Sequence, residues 1–151
     1  MTVTTLKKGQ PIDILLVEDN PGDVRLTQEA LKDARVNNTL TVIGDGIEAL
    51  TFLKSNGKNT GHSRPDLILL DLNLPKKSGL ELLEEIKSDD ELKVIPVIVL
   101  TTSTSQEDII KSYGLHANCY ITKPVDLELF INVVKSINDF WLTIVKLPKN
   151  E

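Results

Sequence analysis

Residues 65–75 read Pro-Asp-Leu-Ile-Leu-Leu-Asp-Leu-Asn-Leu-Pro, and this stretch decides the fold. Its apolar run, residues 67–70, lies between two prolines and is typical of a central strand of a parallel sheet, buried on both faces. Asp71 ends the run. A carboxylate at the carboxyl end of such a strand faces the crevice in which open α/β sheets bind ligands. We therefore expect Asp71 to have a chemical role.

Strand-like and helix-like segments alternate on both sides of Asp71. The predicted strands are residues 12–18, 39–43, 66–70, 95–100 and 118–121. The predicted helices are residues 21–35, residues 46–54, a segment marked by Leu80, Leu83 and Ile86, a segment after Ser105, and residues 126–141. Five such repeats favour an α/β fold, a flavodoxin-like doubly wound five-stranded parallel sheet in the order 2-1-3-4-5 with five helices. That order makes strands 1 and 3 neighbours.

The start of the first helix carries clear local signals. Asn20 is a favourable N-cap residue, and Pro21 suits the first helical position. The apolar spacing then predicts which side chains of this helix face the core, namely Val24, Thr27, Leu31 and Ala34.

Length and composition indicate one globular domain. The chain has 151 residues, of which 40% are hydrophobic and 26% charged, and both values are ordinary for a globular protein. A formal net charge of −5 argues against a nucleic-acid surface, which needs clustered Lys and Arg. The N-terminus lacks an apolar signal core and no apolar run reaches membrane-spanning length, so we expect a cytoplasmic protein with no membrane partner. Cys119 is the single cysteine, which excludes an intrachain disulfide and a cysteine-based zinc site.

The boundaries of the domain follow from the same pattern. Residues 1–11 are predicted to be an N-terminal extension, residues 12–141 the folded domain, and residues 142–151 a C-terminal tail.

Acidic side chains follow two strands that the predicted order makes neighbours. Glu18 and Asp19 end the first strand, and Asp71 ends the third. Three acids at one sheet edge repel one another unless a cation lies among them. Mg²⁺ is normally held by one or two carboxylates together with waters and phosphate oxygens. We therefore predict a Mg²⁺ site in which Asp19 and Asp71 are direct ligands, the Asn73 backbone carbonyl is a third, and Glu18 holds a metal-bound water.

The same edge carries groups suited to phosphoryl transfer. Asp71 is the candidate nucleophile and would form an aspartyl phosphate. Thr101, at the end of the fourth strand, offers a hydroxyl to a phosphoryl oxygen, and Lys123, close to the end of the fifth, offers a positive charge. Few groups are needed, because phosphoryl transfer depends mostly on positioning and charge stabilisation.

With these residues the chain resembles the receiver domain of two-component response regulators. The matching motifs are Leu16-Val17-Glu18-Asp19-Asn20, then Asp71-Leu72-Asn73-Leu74-Pro75 with Gly79, then Thr101, and then Lys123-Pro124. The resemblance covers about residues 12–140. It implies that a histidine kinase or a histidine phosphotransfer protein donates the phosphoryl group to Asp71 in the presence of Mg²⁺. It also implies that Thr101 and Tyr120 form the conformational switch that phosphorylation operates.

A narrower resemblance is to the stand-alone regulators that are paired with cyanobacterial and bacterial phytochrome kinases. It rests on residues 17–24, on the polar loop before Pro65, and on Phe140-Trp141-Leu142 with the tail after them. It implies a light-regulated kinase as partner and a homodimer built partly by the C-terminal helix and tail. That helix shows a second apolar stripe, which favours a partner surface, and the predicted dimer contacts are Leu129, Val133, Phe140 and Trp141.

One position departs from the receiver pattern. The residue after the switch threonine is usually small, and here it is Thr102. A larger side chain restricts the access of water or of a donor to the phosphoryl group, which bears on the rate of dephosphorylation. Because no output domain is expected after the last helix, we predict that the signal leaves by protein contacts.

Two other functions compete with a phosphoacceptor. A phosphatase of the haloacid-dehalogenase type also uses an aspartate nucleophile, but it needs a second Asp two residues later, where this chain has Asn73. A receiver-like scaffold that dimerises without phosphate is the other, and the intact acid set argues against it. The neighbouring Lys76 and Lys77 are interpreted as solvated surface residues.

Overall fold

The structure is a computed structural model, and it describes residues 11–33, 37–55, 64–101 and 119–122, together with the single helical residues Gly114, Glu128 and Asn132. The described elements alternate along the chain: β1 (Ile12–Val17), α1 (Pro21–Asp33), β2 (Asn38–Ile43), α2 (Gly46–Ser55), β3 (Leu67–Asp71), α3 (Gly79–Ser88), β4 (Val97–Thr101) and β5 (Cys119–Thr122).

The five strands form one parallel sheet in the order β2-β1-β3-β4-β5, which confirms the predicted topology. In the register of β1 against β3, Val17 pairs with Leu70. In that of β3 against β4, Asp71 pairs with Leu100. The carboxyl ends of β1 and β3 therefore lie side by side, and the chain leaves Val17 next to Asp71.

The central strand is buried on both faces, as its unbroken apolar run predicts. All four residues from Leu67 to Leu70 have no exposed surface. Ile68 and Leu70 belong to a core cluster with side chains of α2 and α3, whereas Leu67 and Leu69 belong to a second cluster with side chains of α1. Because successive side chains of a strand point to opposite faces, helices cover both sides of the sheet, as in a flavodoxin-like fold.

Several predicted boundaries shift by one or two residues. β3 includes Asp71, so the acid is the last residue of the strand and its backbone is held by the sheet. β4 begins at Val97 and not at residue 95, because Pro96 has no N–H to donate; its carbonyl instead accepts a hydrogen bond from Ile68 at 3.0 Å. Both changes leave the chain order and the sheet order as predicted.

The start of α1 is as the sequence predicts. The Asn20 side chain accepts a hydrogen bond from the Asp23 N–H at 3.1 Å, which is the expected N-cap interaction. The predicted core positions Thr27 and Leu31 are buried, and Ala30 is buried as well. Val24 is partly buried against the core, whereas Ala34 lies outside the described residues.

The fourth and fifth predicted helices lie outside the described residues, apart from the three single helical positions. The N-terminal extension, except residue 11, and the C-terminal tail lie outside them too, so these boundaries stay predictions. Among the helices that the structure does describe, none is both long enough and apolar enough to span a bilayer.

Candidate functional site

Three carboxylates converge at the carboxyl ends of β1 and β3. Glu18 and Asp19 follow β1, and Asp71 ends β3; one oxygen from each lies within 4.8 Å of the others. Glu18 and Asp71 are nearly buried, at 2% and 5% exposure, whereas Asp19 is exposed. The structure therefore brings together the three acids that the sequence predicted at this edge.

Such a group of acids fits a divalent cation. Two like charges about 5 Å apart near a protein surface repel by about 3 kcal/mol, so three carboxylates favour any ligand that compensates their charge. Hard divalent cations prefer carboxylate oxygens, and the exposure of Asp19 leaves the group open to solvent on one side. The donor set thus matches a site for a metal such as Mg²⁺ or Mn²⁺.

Backbone N–H groups orient two of the acids. Asn73 donates its N–H to Asp71 Oδ1 at 3.1 Å, which forms a tight turn just beyond the strand. Asn20 donates its N–H to Glu18 Oε2 at 3.3 Å. Each carboxylate is thus held by the loop that leaves its own strand, while the strand fixes the Cα position.

The start of α3 rests directly on the backbone of the site. Gly79 donates its N–H to the Leu72 carbonyl at 3.0 Å. A Cβ atom added to Gly79 would lie 2.3 Å from the Asp71 carbonyl oxygen and 2.5 Å from Leu72 Cα. Only glycine permits this approach, so the conformation next to Asp71 depends on residue 79.

The helix start itself carries a signal that the sequence interpretation missed. Ser78 caps α3 by accepting a hydrogen bond from the Glu81 N–H, and the Glu81 side chain in turn accepts one from the Ser78 N–H. This is a capping box. Its Ser-x-x-Glu pattern is readable in the sequence, and it fixes where the loop after β3 ends.

The interpretation of the lysine pair in this loop as solvated is confirmed for Lys76 but not for Lys77. Lys77 Nζ lies 2.7 Å from Glu85 Oε2, and only 21% of the Lys77 side chain is exposed. The Glu85 carboxylate raises the pKa of Lys77. Lys76 is 66% exposed, but its Nζ lies 3.7 Å from Asp45 Oδ2. The sequence interpretation did not anticipate these two ion pairs, because both carboxylates are remote in sequence from the local pattern on which it relied.

The remaining predicted site residues are placed only in part. Thr101 is the last residue of β4, one position beyond the residue that pairs with Asp71, so its backbone lies at the same edge of the sheet. Tyr120 lies in β5, opposite Val99. Lys123, which comes directly after β5, lies outside the described residues, as do the predicted dimer contacts Leu129, Val133, Phe140 and Trp141.

Comparisons with known proteins agree with this arrangement. The family described as response regulator receiver domain matches residues 14–135. The chain is 51% identical to response regulator Rcp1 of Synechocystis sp. over 142 residues, which cover 94% of this chain and 97% of Rcp1. It is 39% identical over 137 residues to a probable methanogenesis regulatory protein, FilR2, of Methanothrix harundinacea, covering 91% and 88% of the two chains.

Solved structures give the same result. The phosphorylated cyanobacterial phytochrome response regulator RcpA superposes with a TM-score of 0.75 at 52% identity, over 89% of this chain and 96% of RcpA. The Mn²⁺-bound form of Rcp1 superposes with a TM-score of 0.73 at 51% identity, over 87% and 95% of the two chains. This chain therefore belongs to the response regulator receiver-domain family.

Proposed function

We propose that Asp71 accepts a phosphoryl group from a histidine kinase in a Mg²⁺-dependent reaction, and that the protein signals by the resulting conformational change. The observation that carries this proposal is the convergence of the Glu18, Asp19 and Asp71 carboxylates within 4.8 Å at two adjacent strand ends. Asp71 is the one of the three that lies in the central strand, so its position is the most firmly fixed.

The chemistry is a transfer between two nucleophiles. A carboxylate oxygen of Asp71 forms a bond to phosphorus while the phosphorus–nitrogen bond of the donor phosphohistidine breaks. Asp19 and Asp71 would hold the metal directly, the Asn73 carbonyl would add a third oxygen, and Glu18 would hold a metal-bound water. When bound, Mg²⁺ would supply compensation for the negative charge of the carboxylates and of the phosphoryl group.

Thr101 and Lys123 complete the proposed site. The Thr101 hydroxyl would donate a hydrogen bond to a phosphoryl oxygen, and the Lys123 ammonium would neutralise a second. The backbone position of Thr101 at the end of β4 supports its part. The same threonine, together with Tyr120, would carry the change of state away from Asp71 as the switch.

The proposed donor is a phytochrome-type histidine kinase, because RcpA is described as a phytochrome response regulator. A histidine phosphotransfer protein is the alternative donor. The protein is not an enzyme in the ordinary sense, and we propose slow self-dephosphorylation as its only turnover. Asn73 supports slow turnover, since it stands where an aspartate phosphatase needs a general acid.

Phosphorylation of the purified chain tests the proposal. With Mg²⁺ and a small phosphodonor such as acetyl phosphate, we expect one phosphoryl group that is labile to hydroxylamine, as an acyl phosphate is. Asp71→Asn should abolish it, because an amide is not a nucleophile. Asp90→Asn, at a side chain that is 94% exposed, should leave it unchanged. Incorporation that persists in Asp71→Asn contradicts the assignment.

A second measurement tests the proposed homodimer. The mass of the chain in solution is measured with and without phosphorylation, for the wild type and for a variant in which Phe140 and Trp141 are replaced by alanine. We expect a dimer that this double substitution weakens. A chain that stays monomeric at high concentration in both states shows that the dimer proposal is wrong, and leaves the proposal for Asp71 standing.

A further inference from the structure

The first turn of α2 lies between the acidic group and the loop after β3. On one side, a Cβ atom at Gly44 would lie 3.9 Å from the Asp19 Cα and from the Glu18 carbonyl oxygen. On the other side, a Cβ atom added to Gly46 would lie 2.4 Å from the Lys77 carbonyl oxygen and 2.9 Å from its Cβ. The residues that lead into α2 therefore lie next to the backbone of Glu18 and Asp19, and the first residue of α2 lies against the loop.

Asp45 has two roles at this point. Its Oδ1 accepts a hydrogen bond from the Glu48 N–H at 2.7 Å, and its carbonyl accepts one from the Ala49 N–H at 3.1 Å, so that Asp45 caps α2. Its Oδ2 lies 3.7 Å from Lys76 Nζ. The carboxylate that caps the helix is thus also the one that faces the loop. We call Asp45, Gly46, Lys76 and Lys77 the clasp.

The backbone of the loop is strained at Lys76, one of the clasp residues. Lys76 has a φ of 67°, the left-handed region, which residues with a Cβ atom seldom adopt. Lys77 donates its N–H to the Pro75 carbonyl at 2.8 Å, so Lys76 is the central residue of a tight three-residue turn. Strain of this kind persists only where the surroundings enforce it. The contact between Gly46 and Lys77 is the one that holds this turn in place.

We propose that the clasp couples α2 to the phosphorylation state of Asp71, so that the first turn of α2 is a second element, besides the switch at Thr101 and Tyr120, that changes on phosphorylation. The inference rests on the proposed function of Asp71. The loop is attached to Asp71 at one end and to α2 through the clasp, so a displacement of one changes the contacts of the other. The turn also exposes half of Ile47, so its displacement changes an apolar surface.

Coupling of this kind is reciprocal. If a phosphoryl group on Asp71 alters the first turn of α2, then a substitution that disturbs the clasp must alter the affinity of Asp71 for a phosphoryl group. Gly46→Ala places a Cβ atom against the backbone of Lys77 and should weaken that affinity most. Lys76→Asn introduces a residue type that tolerates the left-handed region, and it removes the charge that faces Asp45.

The first experiment monitors amide resonances in the full chain as Mg²⁺ and beryllofluoride, a mimic of the phosphoryl group, are added. Asn73 reports binding at Asp71, because its N–H bonds to that carboxylate. Glu48 reports the cap of α2 through its bond to Asp45. Asp23, capped by Asn20, is the reference in a helix start outside the clasp. We expect Asn73 and Glu48 to respond in the wild type, and the Glu48 response to fall by more than half in Lys76→Asn.

The second experiment measures the affinity for beryllofluoride at fixed Mg²⁺. Gly46→Ala should lower it by about fivefold or more, the lower end of ordinary allosteric coupling. Glu48→Gln is the matched control, since it removes a side-chain charge in the same turn but keeps the backbone N–H that bonds to Asp45, and it should leave the affinity unchanged. Should Gly46→Ala fail to fold, Lys76→Asn serves for both readouts.

The outcomes separate the two proposals. A response at Asn73 without one at Glu48 shows that the proposed coupling is wrong and leaves the proposed function of Asp71 standing. A Glu48 response that is equal in wild type and Lys76→Asn also shows that the proposed coupling is wrong. In that case the effect reaches α2 without the clasp. A chain in which neither Asn73 nor Glu48 responds contradicts the proposed function of Asp71, and the coupling with it.

Discussion

Replacing Gly79 with alanine tests how far the site depends on the start of α3. The new Cβ atom would lie 2.3 Å from the Asp71 carbonyl oxygen, about 1.1 Å short of the 3.4 Å at which ordinary contact begins. The atoms that it meets belong to the backbone of Asp71 and Leu72 and cannot rotate away. Either α3 or the end of β3 must therefore move by about 1 Å.

The cost of this displacement can be estimated from similar cases. Overpacking costs about 1–3 kcal/mol, and alanine recovers at most about 1 kcal/mol of helix propensity over glycine. We expect a net loss of about 1–2 kcal/mol in the free energy of unfolding, measured by urea denaturation. Since a misplacement of about 1 Å can cost about 100-fold in rate, phosphorylation of Asp71 by a small phosphodonor should slow by a similar factor.

Gly114 offers the matched control. Within the part of the chain that the structure describes, a Cβ atom at this helical glycine would meet nothing within 4 Å. Gly114→Ala should therefore raise stability by about 0.4–1 kcal/mol through the entropy of the unfolded chain and leave the phosphorylation rate unchanged. If Gly79→Ala keeps wild-type stability and rate, α3 does not constrain the backbone of Asp71 as the structure indicates, and the reasoning fails.

Four further substitutions test other contacts. Lys76→Gly should raise the free energy of unfolding by up to about 1 kcal/mol, because it relieves a left-handed backbone conformation, and urea denaturation that shows a loss would contradict this. Lys87→Met should cost about 1–3 kcal/mol, because Lys87 Nζ donates to two loop carbonyls at 3.0 and 2.9 Å, whereas Lys93→Met at an exposed ion pair should cost less than about 1 kcal/mol. Burial, with the charge of Asp13, raises the pKa of Asp66, so its ionised form destabilises the fold. The stability that Asp66 contributes is present below its unfolded pKa of 3.8. It is lost as the pH rises through the folded-state pKa. Asp66→Asn should therefore be more stable than wild type at pH 7, by less than about 1 kcal/mol after solvent screening, and unfolding curves at falling pH should show this gain vanish towards 3.8.

The parts of the fold that the sequence predicted are those with a local cause. The run from Leu67 to Leu70 predicted a strand buried on both faces because burial on both sides leaves no polar position in the run. The acids at the ends of β1 and β3 were predicted from chain order and the handedness of the crossovers, which together bring those strand ends side by side.

The parts that the sequence did not predict depend on contacts between distant segments. The approach of Gly46 to Lys77 joins α2 to a loop that lies beyond β3, and no periodicity in either segment indicates it. The ion pair between Lys77 and Glu85 connects that loop to the middle of α3. The left-handed conformation of Lys76 is invisible locally, because lysine is not a residue type that predicts it. The capping box of α3, by contrast, was readable and was missed.

The acidic group and the loop after β3 contribute to the site in different ways. Pairing of β3 with β1 and β4 fixes the backbone that leads to Asp71, and Asp71 itself pairs with Leu100 of β4. The neighbouring acids repel its charge by about 3 kcal/mol per pair at a separation of about 5 Å, and a bound cation would offset this repulsion. The loop, held by Gly46 and Gly79, fixes the direction in which the Asp71 carboxylate points through the Asn73 N–H. The charge of the acids therefore favours a bound metal, whereas the two glycine contacts position the loop that orients the Asp71 carboxylate. Substitutions at the glycines should accordingly change the rate of phosphorylation more than the affinity for the metal, and substitution of Asp19 should do the reverse.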